Sequence, residues 1–448
     1  MRFFAISFLF IAFQGLAQSI NYNDVGVIIN LNSPASMQIG SHFKNARNIP
    51  TQNMIYVSVP TTEVINDIEF EQLRTQIENY LTSQNLQNQL NYLVTTKGIP
   101  LKRNGIDCIV NTNQGDCGSV DQELSLILGP HAGGIGATNG YSNPYYNENT
   151  HFSRAQFGIY LVTRLDGYEL TDVISLIDRS GPNTGVNQLD AQVVLDMFET
   201  TSIDSTYFIE NYLAPSQLAL QSQNWTTLTD YAPSTPSSVQ NALGYIGIGF
   251  GPTDSVALDY AWLPGSFSSM NTCSGARTFN ASNNPTDQFL LAQLIQDGCT
   301  AAHGYVNCMY FSQLFETDIM LNRYLNPNAG YNLAESYFMA ERLLSHQSVL
   351  IGDPKASIFI DNTTGITEPS ASSLILYPNP SLGVFRFKGL AALSGQLRIV
   401  VSNTYGQIVW EESITDANQQ FTIESPGVYL VSILENDQMV QTFKLLRY

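Results

Sequence analysis

Cysteine and histidine side chains are the residues of this sequence best suited to nucleophilic chemistry. A cysteine attacks as the thiolate, and a paired imidazole is the usual means of lowering its pKa. The sequence has five cysteines and five histidines, so a cysteine hydrolase is one hypothesis for it. His303, beside Gly304 at the end of a predicted strand, is the best candidate base, although a histidine in that setting is more often structural. His131, in a glycine-rich stretch, is a further candidate.

Other patterns of functional residues favour structural roles. Gly247, Gly249 and Gly251 follow a predicted strand but lack the full dinucleotide-binding spacing, which favours a turn. Asp166 follows Arg164 at a strand end, where we expect a local ion pair or a helix cap. No histidine and cysteine spacing is typical of zinc, and no acidic loop is typical of an EF-hand. The sequence therefore predicts no metal and no cofactor.

The elements that position these residues alternate between strand and helix. Apolar runs predict strands at 25–31, 54–59, 91–98, 157–165, 191–198, 243–250, 299–306 and 347–353. A helical pattern follows the first of these strands and ends near residue 48, and two more cover 66–83 and 170–179. Interleaved strands and helices predict a mostly parallel sheet covered on both faces, whose ligands collect at the carboxyl ends of the strands. Residues 103–156, rich in Gly, Asn, Tyr and Pro, are predicted to form an insertion or a long surface loop.

The N-terminal residues 1–18 predict a secretory signal peptide. Arg2 precedes an apolar run from Phe3 to Phe13, and small residues, Gly15 and Ala17, precede a predicted cut after Ala17. No later stretch reaches about 18 apolar residues, so no transmembrane segment is predicted in the mature protein. The chain has 19 Lys and Arg against 38 Asp and Glu, a formal net charge of −19, which argues against nucleic acid as a partner.

The cysteines allow two interpretations. An oxidising compartment permits disulfides, and Cys108 and Cys117 flank a short polar loop that a disulfide could close. Cys299 and Cys308 have the same spacing, which would leave Cys273 as the odd thiol. Alternatively, cysteines stay unpaired and pack as small hydrophobic residues. Sequence alone does not decide between these interpretations.

The C-terminal part of the sequence predicts a separate domain. Residues 363–373 are small and polar, which is typical of a linker. Residues 374–448 contain seven short strand patterns separated by turns, and these predict a small all-β sandwich.

Three blocks in this segment resemble the type A sorting domain of the Bacteroidetes type IX secretion system. They read Tyr-Pro-Asn-Pro, Gly-Val-Tyr-Leu-Val and Lys-Leu-Leu-Arg, in that order. The residues that carry the resemblance are Tyr377, Pro378, Asn379, Pro380, Gly427, Tyr429 and Lys444. It implies that the type IX secretion machinery is a partner and that the protein crosses the outer membrane, to be secreted or held at the cell surface.

The central region resembles a bacterial secreted-protein family, a resemblance that implies no activity. It rests on VDQELSLILG (120–129), YLVTRLDG (160–167), WLPGSF (262–267), DGCTAAHGYV (297–306), GYNLAESYF (330–338) and LIGDP (350–354). A weaker resemblance is to gingipain-type cysteine peptidases, which have a caspase-like α/β fold. Cys273-Ser274-Gly275 stands where their nucleophile motif falls, and Gly352-Asp353-Pro354 closes the domain.

The resemblance to gingipains fails at the catalytic histidine. The segment 245–249, Tyr-Ile-Gly-Ile-Gly, stands where the histidine motif falls, and Ile248 occupies the histidine position. Isoleucine can neither accept a proton nor hold a charge. We therefore expect residues 19–362 to form a caspase-like α/β domain that has lost catalysis and binds a protein or a glycan. The alternatives are an active cysteine hydrolase that uses Cys273 with His303 or His131 as its base, and a structural or adhesive surface protein.

Overall fold

The computed structural model describes most of the chain and divides it into two compact units, Met1–Asp361 and Asn362–Tyr448. The described residues are 20–104, 116–129, 141–198, 205–232, 235–236, 238–249, 258–272, 274–281, 289–307, 314–361, 375–377, 383–388, 396–403, 407–414, 420–436 and 438–447.

The first unit is built from strands and helices in alternation. Its strands are β1 (Val25–Asn30), β2 (Met54–Val57), β3 (Val64–Asn66), β4 (Tyr92–Thr96), β5 (Lys102–Asn104), β6 (Asp116–Ser119), β7 (Tyr141–Ser142), β8 (Leu161–Leu165), β9 (Thr184–Val186), β10 (Gln192–Met197), β11 (Thr226–Asp230), β12 (Ser238–Ile248), β13 (Asp259–Asn271), β14 (Ala302–Tyr305), β15 (Leu343–Leu344), β16 (Ser348–Ile351) and β17 (Ile358–Ile360). Its α-helices are α1 (Pro34–Arg47), α2 (Asp67–Ser83), α3 (Val120–Leu124), α4 (Arg154–Phe157), α5 (Leu170–Arg179), α6 (Ser205–Phe208), α7 (Ala214–Ser222), α8 (Leu291–Asp297), α9 (Thr317–Tyr324) and α10 (Leu333–Ala340). A 3₁₀-helix at Thr51–Asn53 and a π-helix at Ile209–Leu213 complete the described elements.

Ten of these strands form one large sheet in the order β11-β10-β12-β13-β14-β16-β8-β4-β1-β2. Its extended pairings are parallel, except that β14 and β16 run antiparallel. β16 meets β8 at a single register pair, Ile351 opposite Arg164. The mixed α/β fold with a mostly parallel sheet, which the sequence predicts, is confirmed.

Different helices cover the two faces of this sheet. Successive side chains of a strand point to opposite faces. In β1, Ile29 belongs to the buried cluster that contains Phe43 of α1, whereas Ile28 belongs to the cluster that contains Phe70 of α2. Leu124 of α3 belongs to the same cluster as Phe70. The chain therefore leaves β1 toward one face and leaves β4, by way of α3, toward the other.

This divergence opens a crevice between the carboxyl ends of β1 and β4. In the first half of the sheet the order is β2-β1-β4-β8, so the first strand lies between the second and the third. The order β11-β10-β12-β13 repeats the arrangement in the second half. A point where adjacent strands send the chain to opposite faces is where open α/β sheets bind ligands.

The second unit contains two small antiparallel sheets. Its strands are β18 (Ile375–Tyr377), β19 (Val384–Lys388), β20 (Leu397–Asn403), β21 (Ile408–Ile414), β22 (Gln420–Thr422), β23 (Gly427–Glu435) and β24 (Gln438–Arg447), paired as β18-β19-β22 and β21-β20-β23-β24. Phe385 and Phe421 from one sheet and Val401 and Val431 from the other belong to a single buried cluster. These seven strands coincide with the seven strand patterns in the sequence.

Candidate ligand-binding site

A cavity of about 520 Å³ lies at the carboxyl ends of the first-half strands, within the range that small-molecule sites occupy. It is lined by the segments that follow β1, β2, β4 and β8, and by a segment that follows β13. The lining residues are Ser33, Ala35, Thr61, Glu63, Lys97, Gly98, Ile99, Leu101, Asp166, Tyr168, Glu169, Phe279, Asn280 and Ala281. We call it the carboxyl-edge cavity.

Lys97 and Asp166, which follow adjacent strands, form an ion pair in the wall of this cavity. The Lys97 Nζ lies 3.2 Å from the Asp166 Oδ1 and also donates to the carbonyl oxygens of Gly167 at 2.7 Å and Phe279 at 3.1 Å. All three protons of the ammonium group are thus directed at protein oxygens. Lys97 therefore holds the wall together and has no donor left for a ligand.

Behind the ion pair, Arg164 is completely buried. Its Nε and Nη2 donate to the two carboxylate oxygens of Asp121 at 2.8 and 2.9 Å. Its remaining donors reach the Ile99 and Pro100 carbonyls and Asp166 Oδ2, the last at 3.3 Å. The local ion pair expected between Arg164 and Asp166 is therefore present, within a larger network that fixes the wall from behind.

Glu63 joins the two halves of the α/β unit across the cavity. Its Oε1 accepts from the Phe279 backbone N–H at 2.6 Å, and its Oε2 accepts from the Thr278 hydroxyl at 2.7 Å. Lys97 holds the Phe279 carbonyl from the other side. Together these two residues clamp the segment 274–281, which begins directly after Cys273.

At the cavity, the backbone after β4 passes very close to the start of α1. Gly98 has φ of 99°, a conformation that residues with a Cβ rarely adopt. A Cβ added there would lie 2.3 Å from the Ser33 Oγ. Ser33 in turn caps α1 by accepting from the Ser36 N–H. Only glycine lets β4 end this close to the start of α1.

His303 is a fully buried residue of β14 and is not among the residues that line this cavity. Its Nδ1 lies 2.9 Å from the Ser269 Oγ, its Nε2 lies 3.0 Å from the Ser348 Oγ, and its ring stacks on Phe315. Burial lowers the pKa of His303 to about 3, so the imidazole is neutral near pH 7. Both ring nitrogens face core hydroxyls, and the catalytic role of His303 stays a prediction.

Glu341 shares this buried cluster with His303. Its carboxyl group contacts the Ser348 hydroxyl, and its Oε1 lies 3.7 Å from the His303 Nε2. Burial raises the pKa of Glu341 to about 8, so this carboxyl is mainly protonated near pH 7. The Ser348 hydroxyl also meets the Tyr337 hydroxyl at 2.6 Å. The cluster is a neutral hydrogen-bonded network that ties α10 to the sheet.

The remaining predicted residues of the peptidase hypothesis lie in several places. Cys273 and His131 lie outside the described residues. Ile248 ends β12, is fully buried, and is opposite Asn271 of β13 in register. Cys299 is a buried free thiol whose pKa burial raises to about 11, so the suggested pairing of Cys299 with Cys308 is wrong.

The predicted sorting residues are only partly described. Tyr377 ends β18, and Gly427 begins β23. The Tyr429 hydroxyl donates to the Ser425 carbonyl at 2.9 Å, and Lys444 is opposite Leu430 in the pairing of β24 with β23. Pro378, Asn379 and Pro380 lie outside the described residues.

Comparison with known proteins decides the nature of the second unit. Residues 375–446 match the family model described as the secretion system C-terminal sorting domain. This segment is a sorting domain. It directs the protein through the type IX secretion system, across the outer membrane, to the cell surface or the extracellular space. In the part of the chain that the structure describes, no helix is long and apolar enough to cross a membrane.

The matched family model covers none of the first unit. No curated protein matches the sequence. A solved structure described as "Structure of Protease" aligns with 94% of this chain and 96% of its own, at 10% identity and a TM-score of 0.39. A similarity this weak carries no argument about the first unit.

Sequence reasoning identified the region of the cavity and one of its residues. The rule that α/β ligands gather at carboxyl strand ends points to Asp166, whereas Lys97 was not singled out. Nothing in the sequence singles out Glu63 or Phe279, because their roles depend on a contact between segments more than 200 residues apart.

Proposed function

We propose that this exported protein carries a caspase-like α/β domain that has lost catalysis and acts as a binding module. The observation that supports it most is Ile248, a fully buried aliphatic side chain at the position where the resemblance to gingipains calls for the histidine. A cysteine without a base partner keeps a pKa of about 8.5 and is largely protonated at neutral pH.

The surroundings of His303 and the residues that line the cavity also favour a loss of catalysis. A general base must lie within hydrogen-bonding reach of the proton it removes, and His303 is enclosed by Ser269, Ser348 and Phe315. Among the described residues, those that line the carboxyl-edge cavity include no histidine and no cysteine. What they offer is acceptor oxygens and aromatic surface, which suits binding.

The decisive experiment is a hydrolysis screen of the mature protein against a peptide library, run beside Cys273→Ala. We expect no turnover above background from either protein. Hydrolysis by the parent protein that Cys273→Ala abolishes would overturn the proposal in favour of a cysteine hydrolase. Cys299→Ala serves as the matched control, because that thiol is buried and has a raised pKa.

A further inference from the structure

The charge of the carboxyl-edge cavity restricts the ligands it can hold. Glu63, Asp166 and Glu169 contribute three carboxylates, and Lys97 contributes one cation. Arg164 and Asp121 behind the wall form a neutral pair. The N-termini of α1 and α5 border the cavity and add roughly half a positive charge each. The net charge of the lining is therefore about −1, which disfavours carboxylates and phosphates as ligands.

Two of the carboxylates have no cationic partner. Asp166 is offset by Lys97 and Arg164. Within the described residues, the Glu63 carboxylate accepts from two neutral donors, the Phe279 N–H and the Thr278 hydroxyl, and Glu169 is exposed at the start of α5. Neither Glu63 nor Glu169 forms an ion pair within the described part of the chain. A cationic ligand would therefore complement these two carboxylates, because the Lys97 ammonium group is already directed at protein oxygens.

We propose that the carboxyl-edge cavity binds a small organic amine, with its ammonium group facing Glu63 and Glu169. Tyr168 and Phe279 are aromatic residues among those that line the cavity, and aromatic residues suit an ammonium group and its aliphatic stem. Burial raises the pKa of the Tyr168 phenol, and the nearby Arg277 opposes that shift, but Arg277 is not among the residues that line the cavity. This inference rests on the proposed binding function and names the class of ligand.

Calorimetric titration of the mature protein with three four-carbon probes tests the proposal. They are butane-1,4-diamine, butane-1,4-diol and succinate, which match in length and differ in charge. We expect the diamine to bind at least tenfold more tightly than the diol, and succinate not to bind. Equal binding of diamine and diol, or tighter binding of succinate, would overturn the assignment.

Variants of the two unpaired carboxylates locate the site. Glu169→Gln, at an exposed position, and Glu63→Gln should each weaken diamine binding about tenfold, while Glu210→Gln, an exposed carboxylate on the π-helix, should not. Unchanged binding in Glu169→Gln and Glu63→Gln would place the amine elsewhere and refute the proposal. Peptide hydrolysis that depends on Cys273, with diamine binding intact, would refute only the loss of catalysis. Failure of the diamine to bind, with no hydrolysis, would refute only the amine assignment.

Discussion

At the scale of single residues, the α/β unit depends on charges that are buried only because they are paired. Arg164 has no exposed surface, and Asp121 has almost none. The sequence showed these two residues 43 positions apart, with nothing to connect them. Asp166 was easier to interpret, because it lies two residues from its partner.

Replacement of Arg164 by methionine should destabilise the first unit by about 3–5 kcal/mol, because it leaves Asp121 charged and buried without a partner. Arg74→Met removes a helix-surface pair with Glu71 and should cost less than about 1 kcal/mol. Urea unfolding followed by circular dichroism measures both. Similar losses from the two variants would contradict the buried-network account. Adding Asp121→Asn to Arg164→Met should recover part of the loss.

The Glu341 carboxyl should make stability depend on pH. Its folded pKa of about 8 lies above the usual value near 4.3, so its contribution is complete below pH 4 and is lost as pH rises to about 8. Buried His303, with a folded pKa of about 3, acts in the opposite direction, but only below about pH 6.5.

Between pH 6.5 and 8 the effect of Glu341 should therefore dominate, and the free energy of unfolding should fall by up to about 1.4 kcal/mol per pH unit. Urea titrations across this window measure the slope, with Glu341→Gln as the comparison. The glutamine variant should show a flatter profile. Equal slopes in the two proteins would mean that Glu341 is already ionised in the folded state.

At the scale of elements, the strongly patterned segments were predictable and the irregular ones were not. Four elements, β1, β4, α2 and α5, match the predicted positions within a residue or two. The two strands are clear apolar runs, and the two helices have a clear helical pattern. β13 was missed although it has 13 residues. It contains Pro264 and Gly265, which argue against a strand, and its register with β12 shifts at that point.

The clamp on segment 274–281 is also an element-scale feature. Glu63→Ala removes the acceptor of the Phe279 N–H, so that amide should exchange with deuterium faster by an order of magnitude or more. Hydrogen-exchange mass spectrometry of the peptide spanning 274–281 measures this effect. Glu210→Ala should leave the same peptide unchanged. Exchange that is equally slow in both variants would show that Glu63 does not hold the segment.

At the scale of the whole molecule, the sequence was most informative about where the protein is exported. The sorting domain was recognisable from three short blocks, whereas the cavity depends on contacts between segments far apart in the chain. A variant that ends at Asp361 keeps the first compact unit but lacks the sorting domain. We expect it to accumulate in the periplasm. Fractionation of expressing cells measures this, and its appearance in the medium would contradict export by the sorting domain.

The central claim, that the α/β domain no longer activates a cysteine, is tested most directly by the rate at which iodoacetamide alkylates Cys273. The rate should be followed from pH 5 to 10, with Cys273→Ala to subtract labelling of other thiols. The account predicts slow alkylation at neutral pH and a midpoint near pH 8.5, as for an unassisted thiol. A midpoint below pH 7 would reveal a thiolate stabilised by a base, and the domain would then have to be regarded as a competent hydrolase.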